Sequence, residues 1–280
     1  MPLACATSIK TPTASFRTSC TTSLARDGAV DLLPGAQDQR DRPYERLAEV
    51  YDVINQSRKD YLEQAAKVSH LARCKTGRPA REMSLLDVGC GTGLHLEHFA
   101  SWFAHLEGVD LNEEMLTVAR TRLPNVPLHH GDMIDFDLGR KFDVVTCLSS
   151  AICSMKRYVN LCDAITTMAK HLKPAGVLVI EPWMEPDSVG PRNIHGYLVD
   201  VPGMKIAHVG VSTLRDGVLV YEMHFLVGRP TGITSFVEVH ELGLFTREEY
   251  RLAFESADLV VEFDEEGLIG RGLYIAIKPT

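Results

Sequence analysis

Nine residues, LLDVGCGTG at positions 85–93, constrain this chain more than any others. A short apolar run closes on Asp87 and gives way to a turn holding Gly89, Gly91 and Gly93. The segment LHLEHFASWF follows with helical apolar spacing. Glycine lets backbone approach a ligand closely and takes the positive φ that a tight strand-to-helix turn requires. The helix start delivers free N–H groups to the same place. The segment reads as a cofactor cradle between a strand and a helix.

Three nucleotide-type ligands use such loops. A phosphate-binding loop needs Lys and Ser/Thr after its last glycine, but Leu94 and His95 stand there. A dinucleotide fingerprint places its third glycine three residues after the second, whereas Gly93 follows Gly91 by two. Asp87 would repel a pyrophosphate, yet suits a cation. S-adenosylmethionine (SAM) carries both an ammonium and a sulfonium, and it meets the pattern best. Taken alone, the five-residue GxGxG also fits a tight turn with no ligand.

The following segments add acids at regular places. In HLEGVDLNEEML, residues 106–111 read as a second strand. Asp110 lies 17 residues after Gly93, near the spacing that brings an acid to ribose hydroxyls. Asn112 suits the N-cap of a helix beginning EEMLTVARTRL. In PLHHGDMIDFDL, Asp132 sits just past a short strand, placed to accept from an adenine amino group with Met133 against the ring. Residues 142–148 read as a buried strand opening into Ser149 and Ser150. In an open α/β sheet, ligands bind beyond the carboxyl ends of the strands.

These motifs together resemble the class I SAM-dependent methyltransferases. LLDVGCGTG corresponds to their first motif, VDLNEEML to the ribose segment, GDM to the adenine segment and LKPAGVLVIEPW to the later helix–turn–strand. The resemblance spans roughly 44–280. It implies an α/β, Rossmann-like fold: a seven-stranded, mostly parallel sheet with helices on both faces and an antiparallel edge hairpin. A narrower resemblance rests on YDVINQSRKDY, LHHGDMIDFDLG, TCLSSAI, VIEPW, MHFLVGRPTGIT, LFTREEY and IGRGLY. These are similar to the N-methyltransferases of dTDP-amino-deoxysugars in actinobacterial antibiotic pathways.

The resemblance implies SAM as cofactor, S-adenosylhomocysteine (SAH) as product, a nucleotide-sugar substrate and a homodimer. Tyr61, Asp87, Gly89, Gly91, Gly93 and Asp110 are expected to hold SAM, with Leu111, Met115, Asp132, Met133 and Leu148 beside it. Tyr44 is expected near the amine. Ser149, Trp183, His224 and Arg271 are expected to frame the acceptor, with Arg271 reaching a phosphate. One departure stands out. Ser154 occupies the position where the resembled enzymes carry a histidine beside the amine, and serine is no comparable base. His224 and His240 on the later strands are candidate substitutes. Methylation of another small metabolite and non-catalytic SAM binding stay open as alternatives.

Composition bounds the partners. With 29 basic and 37 acidic residues the net charge is −8, which offers no footprint for nucleic acid. The seven cysteines are scattered without a CxxC pair, so neither a disulfide framework nor a metal site is expected. No apolar run approaches the ~20 residues of a membrane helix, and the expected location is the cytoplasm.

Four regions are expected. Residues 1–43 begin rich in Ser, Thr and Ala, resembling a transit peptide in composition; a disordered extension or an early start codon fits equally well. Residues 44–183 hold two lid helices and the cofactor core, with the helix LCDAITTMAKHL ended by Pro174 and Gly176. Residues 184–245 form an inserted antiparallel sheet with a turn at Asp216–Gly217. Residues 246–280 supply a helix capped by Thr246 and the edge hairpin.

Overall fold

The computed structural model describes residues 47–280. Tyr44 and the expected extension at 1–43 lie outside the described residues.

Two helices come first, α1 (Ala48–Gln56) and α2 (Tyr61–Thr76). Then alternate β1 (Ser84–Val88), α3 (Leu94–Phe99), β2 (His105–Asp110), α4 (Glu113–Arg122) and β3 (Leu128–His130). They are followed by β4 (Phe142–Cys147), α5 (Tyr158–Lys170) and β5 (Leu172–Ile180). Four long strands form a separate sheet: β6 (Arg192–Val201), β7 (Met204–Arg215), β8 (Val218–Arg229) and β9 (Gly232–Gly243). The chain ends with α6 (Arg247–Ser256), β10 (Val260–Asp264) and β11 (Leu273–Ile277).

The main sheet has seven strands in the order β10-β11-β5-β4-β1-β2-β3. β1 to β5 pair in parallel, and β11 runs against β5. Period-two alternation sends Leu85, Val144, Val177, Val179 and Ile275 to one face, packed with α2 and α3. It sends Leu86, Val145, Leu178, Ile180 and Ala276 to the other, packed with α5 and α6. Strand order reverses between β1 and β4, and a crevice opens there at the strands' carboxyl ends.

Local chemistry sets several ends as expected. The Asn112 side chain accepts from Met115 N at 2.8 Å and starts α4. Thr246 and Glu249 form a reciprocal capping box on α6. Asp216 and Gly217 both take positive φ, 50° and 79°, in the two-residue turn joining β7 to β8. That geometry matches the right-handed twist of the strands.

Two expectations change. α3 stops at Phe99 and leaves Ser101–Trp102 in a turn. α5 stops at Lys170, so neither Pro174 nor Gly176 ends it. Both lie at the start of β5, where the register against β4 shifts between Phe142 and Val144. A bulge tolerates proline's missing N–H. A Cβ on Gly176 would meet Lys173 O at 2.8 Å, so the bulge needs a glycine.

The four-stranded sheet packs one face against α1. Its last residue, Gly243, seats on the core: a Cβ there would fall 2.0 Å from Met155 O.

Candidate active site

Backbone hydrogen bonds anchor the start of the glycine turn to β2. Gly89 N and Cys90 N both donate to Val109 O, at 2.8 and 3.0 Å. Gly89, Gly91 and Gly93 have φ of 70°, 55° and 78°. They differ in surroundings. A Cβ on Gly89 would meet Ala151 Cβ at 2.6 Å and one on Gly93 would meet Leu123 Cδ1 at 2.9 Å. Gly91 has nothing within 4 Å, so its backbone faces open space.

Three acids sit at successive strand ends. Asp87 is 2% exposed and its Oδ1 accepts from Thr146 Oγ1 at 2.7 Å. Burial pushes its pKa up to about 7, and the nearby Asp110 adds to the rise. Asp110 accepts from Gly91 N at 2.7 Å and from Asn112 N at 2.8 Å. Burial raises its pKa as well, and these backbone donors oppose the rise. Asp132 accepts from Ile134 N at 3.2 Å. A cavity of about 320 Å³ is lined by Gly89, Asp110, Leu111, Asp132 and Met133. Leu148 and Met115 are buried nearby in the chain's packing, and neither lines that cavity.

A second cluster flanks the β4 and β5 ends. Ser149 and Ser150 take φ of 51° and 59°, a strained pair for non-glycine residues. Ser149 N donates to Glu181 Oε2 at 2.7 Å, and Ser150 Oγ donates to Pro182 O at 2.7 Å. Lys59 Nζ donates to Ser149 Oγ at 3.1 Å. Glu181 is only 1% exposed, and Arg271 Nη2 reaches its Oε1 at 3.4 Å. The Arg271 guanidinium lies 4.5 Å over the Trp183 ring. Burial depresses the Lys59 pKa; Arg271 and Arg58 act the same way and Glu181 opposes them.

Tyr61 opens α2 and its ring lies 4.6 Å from that of His95. Burial pushes the phenol well above its ordinary pKa, with the Ser149 hydroxyl acting in the opposite sense. Its oxygen meets no partner at good hydrogen-bond geometry. Trp183 Nε1 and Arg271 Nε are likewise buried and unpaired. Buried polar groups without a partner are uncommon, and these three flank the Ser149–Glu181 cluster.

Residues 85–176 match a family model described as a methyltransferase domain. Over 233 residues the chain is 42% identical to a dTDP-3-amino-3,6-dideoxy-alpha-D-glucopyranose N,N-dimethyltransferase of Streptomyces fradiae, covering 82% of this chain and 90% of the relative. The chain belongs to the dTDP-amino-sugar N,N-dimethyltransferase family. A second family member, the dTDP-4-amino-2,3,4,6-tetradeoxy-D-glucose N,N-dimethyltransferase of Saccharopolyspora spinosa, is 38% identical over 232 residues, 82% of this chain and 92% of that one. Among solved structures, the SAM-bound amino pentose methyltransferase CalS10 of Micromonospora echinaspora is 43% identical, with a TM-score of 0.75. That match covers 82% of this chain and 96% of the other.

Within this family frame, two sequence expectations are displaced. Ser154 donates to Ala151 O at 2.8 Å and lines the cavity of Asp132 and Met133; Glu181, Trp183 and Arg271 do not line it. It therefore sits apart from the Glu181 cluster, turned back on its own 3-10 turn. His224 lies between Met223 and Phe225, which both pack toward α1, so alternation puts it on the outer face of the four-stranded sheet. There its Nε2 is 2.6 Å from Glu222 Oε1. His240 pairs in register with Tyr221 on the inner face. The expectations omitted Lys59, in the KDY segment, and gave Glu181 no role. An acid in the apolar strand VLVIE was the available signal, since a buried carboxylate needs partners.

Proposed function

We propose that this chain is a SAM-dependent N-methyltransferase acting on the amine of a dTDP-linked amino-deoxysugar. The carrying observation is the cluster of Lys59, Ser149, Glu181, Trp183 and Arg271 beside the glycine turn. It combines a carboxylate for an amine with two cations for phosphates. Residues 44–183 then carry the cofactor, 184–245 face the acceptor and 246–280 complete the core.

The residues fit SAM. A buried Asp87 is suited to an ammonium, and the open face of Gly91 admits a close backbone contact. Asp110 keeps lone pairs for ribose hydroxyls beyond its two backbone partners. Asp132 and Met133 suit an adenine. When bound, SAM supplies a sulfonium methyl group for in-line transfer to nitrogen and leaves as SAH. Charge disperses in such a transfer, so excluding water and orienting the amine supply much of the rate. Glu181 and the Ser149 hydroxyl orient the amine and accept its proton's hydrogen bond. Lys59 and Arg271 hold the diphosphate, with Trp183 fixing the guanidinium plane. Ser154 needs no base role, since the Glu181 carboxylate is at hand.

We also propose a homodimer built on the outer face of the four-stranded sheet. Ile194 and Leu198 there are 77% and 68% exposed, and Val209, Leu226 and Ile233 continue the apolar surface. A cytoplasmic location suits two charged small molecules that do not cross a membrane unaided. Among the described residues, no helix is long and apolar enough to cross one.

The test is mass spectrometry after incubation with SAM and a panel of dTDP-3-amino and dTDP-4-amino deoxysugars, free amino sugars and phenols. Gain of two methyl groups on one nucleotide-linked sugar is expected, and it locates the amine. Turnover only on phenols or free amines would discard the nucleotide sugar. SAM binding without turnover on any of them would favour a non-catalytic protein.

A further inference from the structure

Helix α1 has two working sides. Leu47, just before it, joins Val50 and Ile54 in a stripe packed on Val199, Ile206, Met223, Phe225 and Val227 of the four-stranded sheet. Just past its end, the Arg58 guanidinium lies 4.6 Å over the Tyr197 ring of that sheet. Asp52 projects from the opposite side of the helix, two residues from both Val50 and Ile54.

Asp52 reaches the glycine turn. Its Oδ1 accepts from Thr92 Oγ1 at 2.5 Å, and its Oδ2 is paired with Arg122 of α4. Thr92 is buried between Gly91 and Gly93. Arg122 also holds Glu97 of α3, with Nη1 to Oε2 at 2.9 Å. One carboxylate thus gathers α1, the glycine turn and, through Arg122, α3 and α4. On its other flank the turn is tied to Asp110 through Gly91 N. Asp52 does not line the cavity of Asp110 and Asp132.

We propose that Asp52 is a positioning residue that latches α1 to the cofactor turn. Order imposed on the turn by the bound donor passes through Thr92 and Asp52 to α1, and along it to Lys59, three residues past its end and assigned above to the acceptor's diphosphate. The acceptor is then gripped in alignment only when the donor is in place. This rests on the glycine turn being the SAM site. Such coupling is reciprocal between the two ligands.

The test is hydrogen–deuterium exchange on the full chain with and without SAH, alongside titration with dTDP. In the natural chain, SAH slows exchange at 89–93 and at 48–56, and it tightens dTDP binding by about fivefold or more. Thr92→Val keeps the side chain's shape but removes the hydroxyl; Asp52→Ala removes the latch from the other side. In both, slowing at 89–93 persists, slowing at 48–56 is lost, and dTDP binds equally with and without SAH. In turnover, kcat falls while the KM for SAM holds. A purely structural role would lower stability without separating the two segments.

Three results overturn the proposal. Both variants could keep the natural slowing at 48–56. SAH could slow 89–93 but not 48–56 in the natural chain, which removes the latch alone. SAH could slow neither segment, which removes the cofactor reading and the latch together.

Discussion

Three alanine substitutions separate the folding role of the glycines from their ligand role. Gly91 and Gly139 both take positive φ, 55° and 64°, and neither would bring a Cβ within 4 Å of another group. An L-residue in that region costs about 1–2 kcal/mol. Gly91→Ala and Gly139→Ala should therefore destabilise the ligand-free chain about equally. For a chain of this size the midpoint should fall by roughly 2–8 °C. Gly89→Ala carries the same strain plus a Cβ 2.6 Å from Ala151 Cβ. Overpacking adds about 1–3 kcal/mol, so it should be the least stable of the three. Thermal unfolding followed by circular dichroism reads these values. Calorimetric titration with SAH then reads the ligand role. Gly139 does not line the cavity of Asp110 and Asp132 proposed for the cofactor, so its alanine variant should bind SAH as the natural chain does. A methyl group on Gly91 enters the space proposed for the cofactor and should raise the Kd by about tenfold or more, about 1.4 kcal/mol. If Gly91→Ala binds SAH normally, the open face of that glycine is not where the cofactor lies.

Three further outcomes are expected. Asp87 has a pKa of about 7 in the fold, against about 3.9 in an unfolded chain. Between these values the folded chain holds a proton that the unfolded chain lacks, so this group makes the ligand-free fold less stable as pH rises from about 4 to about 7. The SAH ammonium favours the ionised form, so SAH affinity should fall as pH drops below about 7, and Asp87→Asn should flatten that profile in titrations. Arg271→Lys keeps the charge but loses the planar fork stacked on Trp183; it should raise the KM for the nucleotide sugar about tenfold and leave that for SAM unchanged. Equal effects on both would remove the phosphate role. Thr246→Ala breaks the capping box of α6 and should cost about 1 kcal/mol by thermal unfolding, with both KM values unmoved.

Features governed by neighbours in sequence were legible before the structure. Asn112, Thr246 and Asp216–Gly217 act on backbone within a few residues, and their chemistry admits few alternatives. The strand ends carrying Asp87, Asp110 and Asp132 were legible because glycines and short apolar runs punctuate them. The face of β8 was not. Its inner residues Leu219, Met223 and Phe225 and its outer residues Val220 and Leu226 are all apolar. Only Glu222 offers a contrast of polarity for the side His224 takes, and packing of the other face against α1 decides it. The Glu181 cluster was hidden for a different reason. Its partners Ser149 and Arg271 stand 32 and 90 residues away, and only the sheet order brings them together. The end of α5 was misread because Pro174 marks a bulge as readily as a helix stop.

The four-stranded sheet leaves the core after Ile180 and returns at Thr246, seated through the bare Cα of Gly243 against the Met155 carbonyl. Every residue assigned here to the methyl donor precedes that excursion. The residues proposed for the acceptor, Lys59, Ser149, Glu181, Trp183 and Arg271, also lie outside it, so residues 192–243 can be exchanged as a cassette without removing any of them. Relatives named for 3-amino and for 4-amino sugars share this frame. Gly243 is the joint such grafts must preserve, because any larger residue would lift the cassette off its seat.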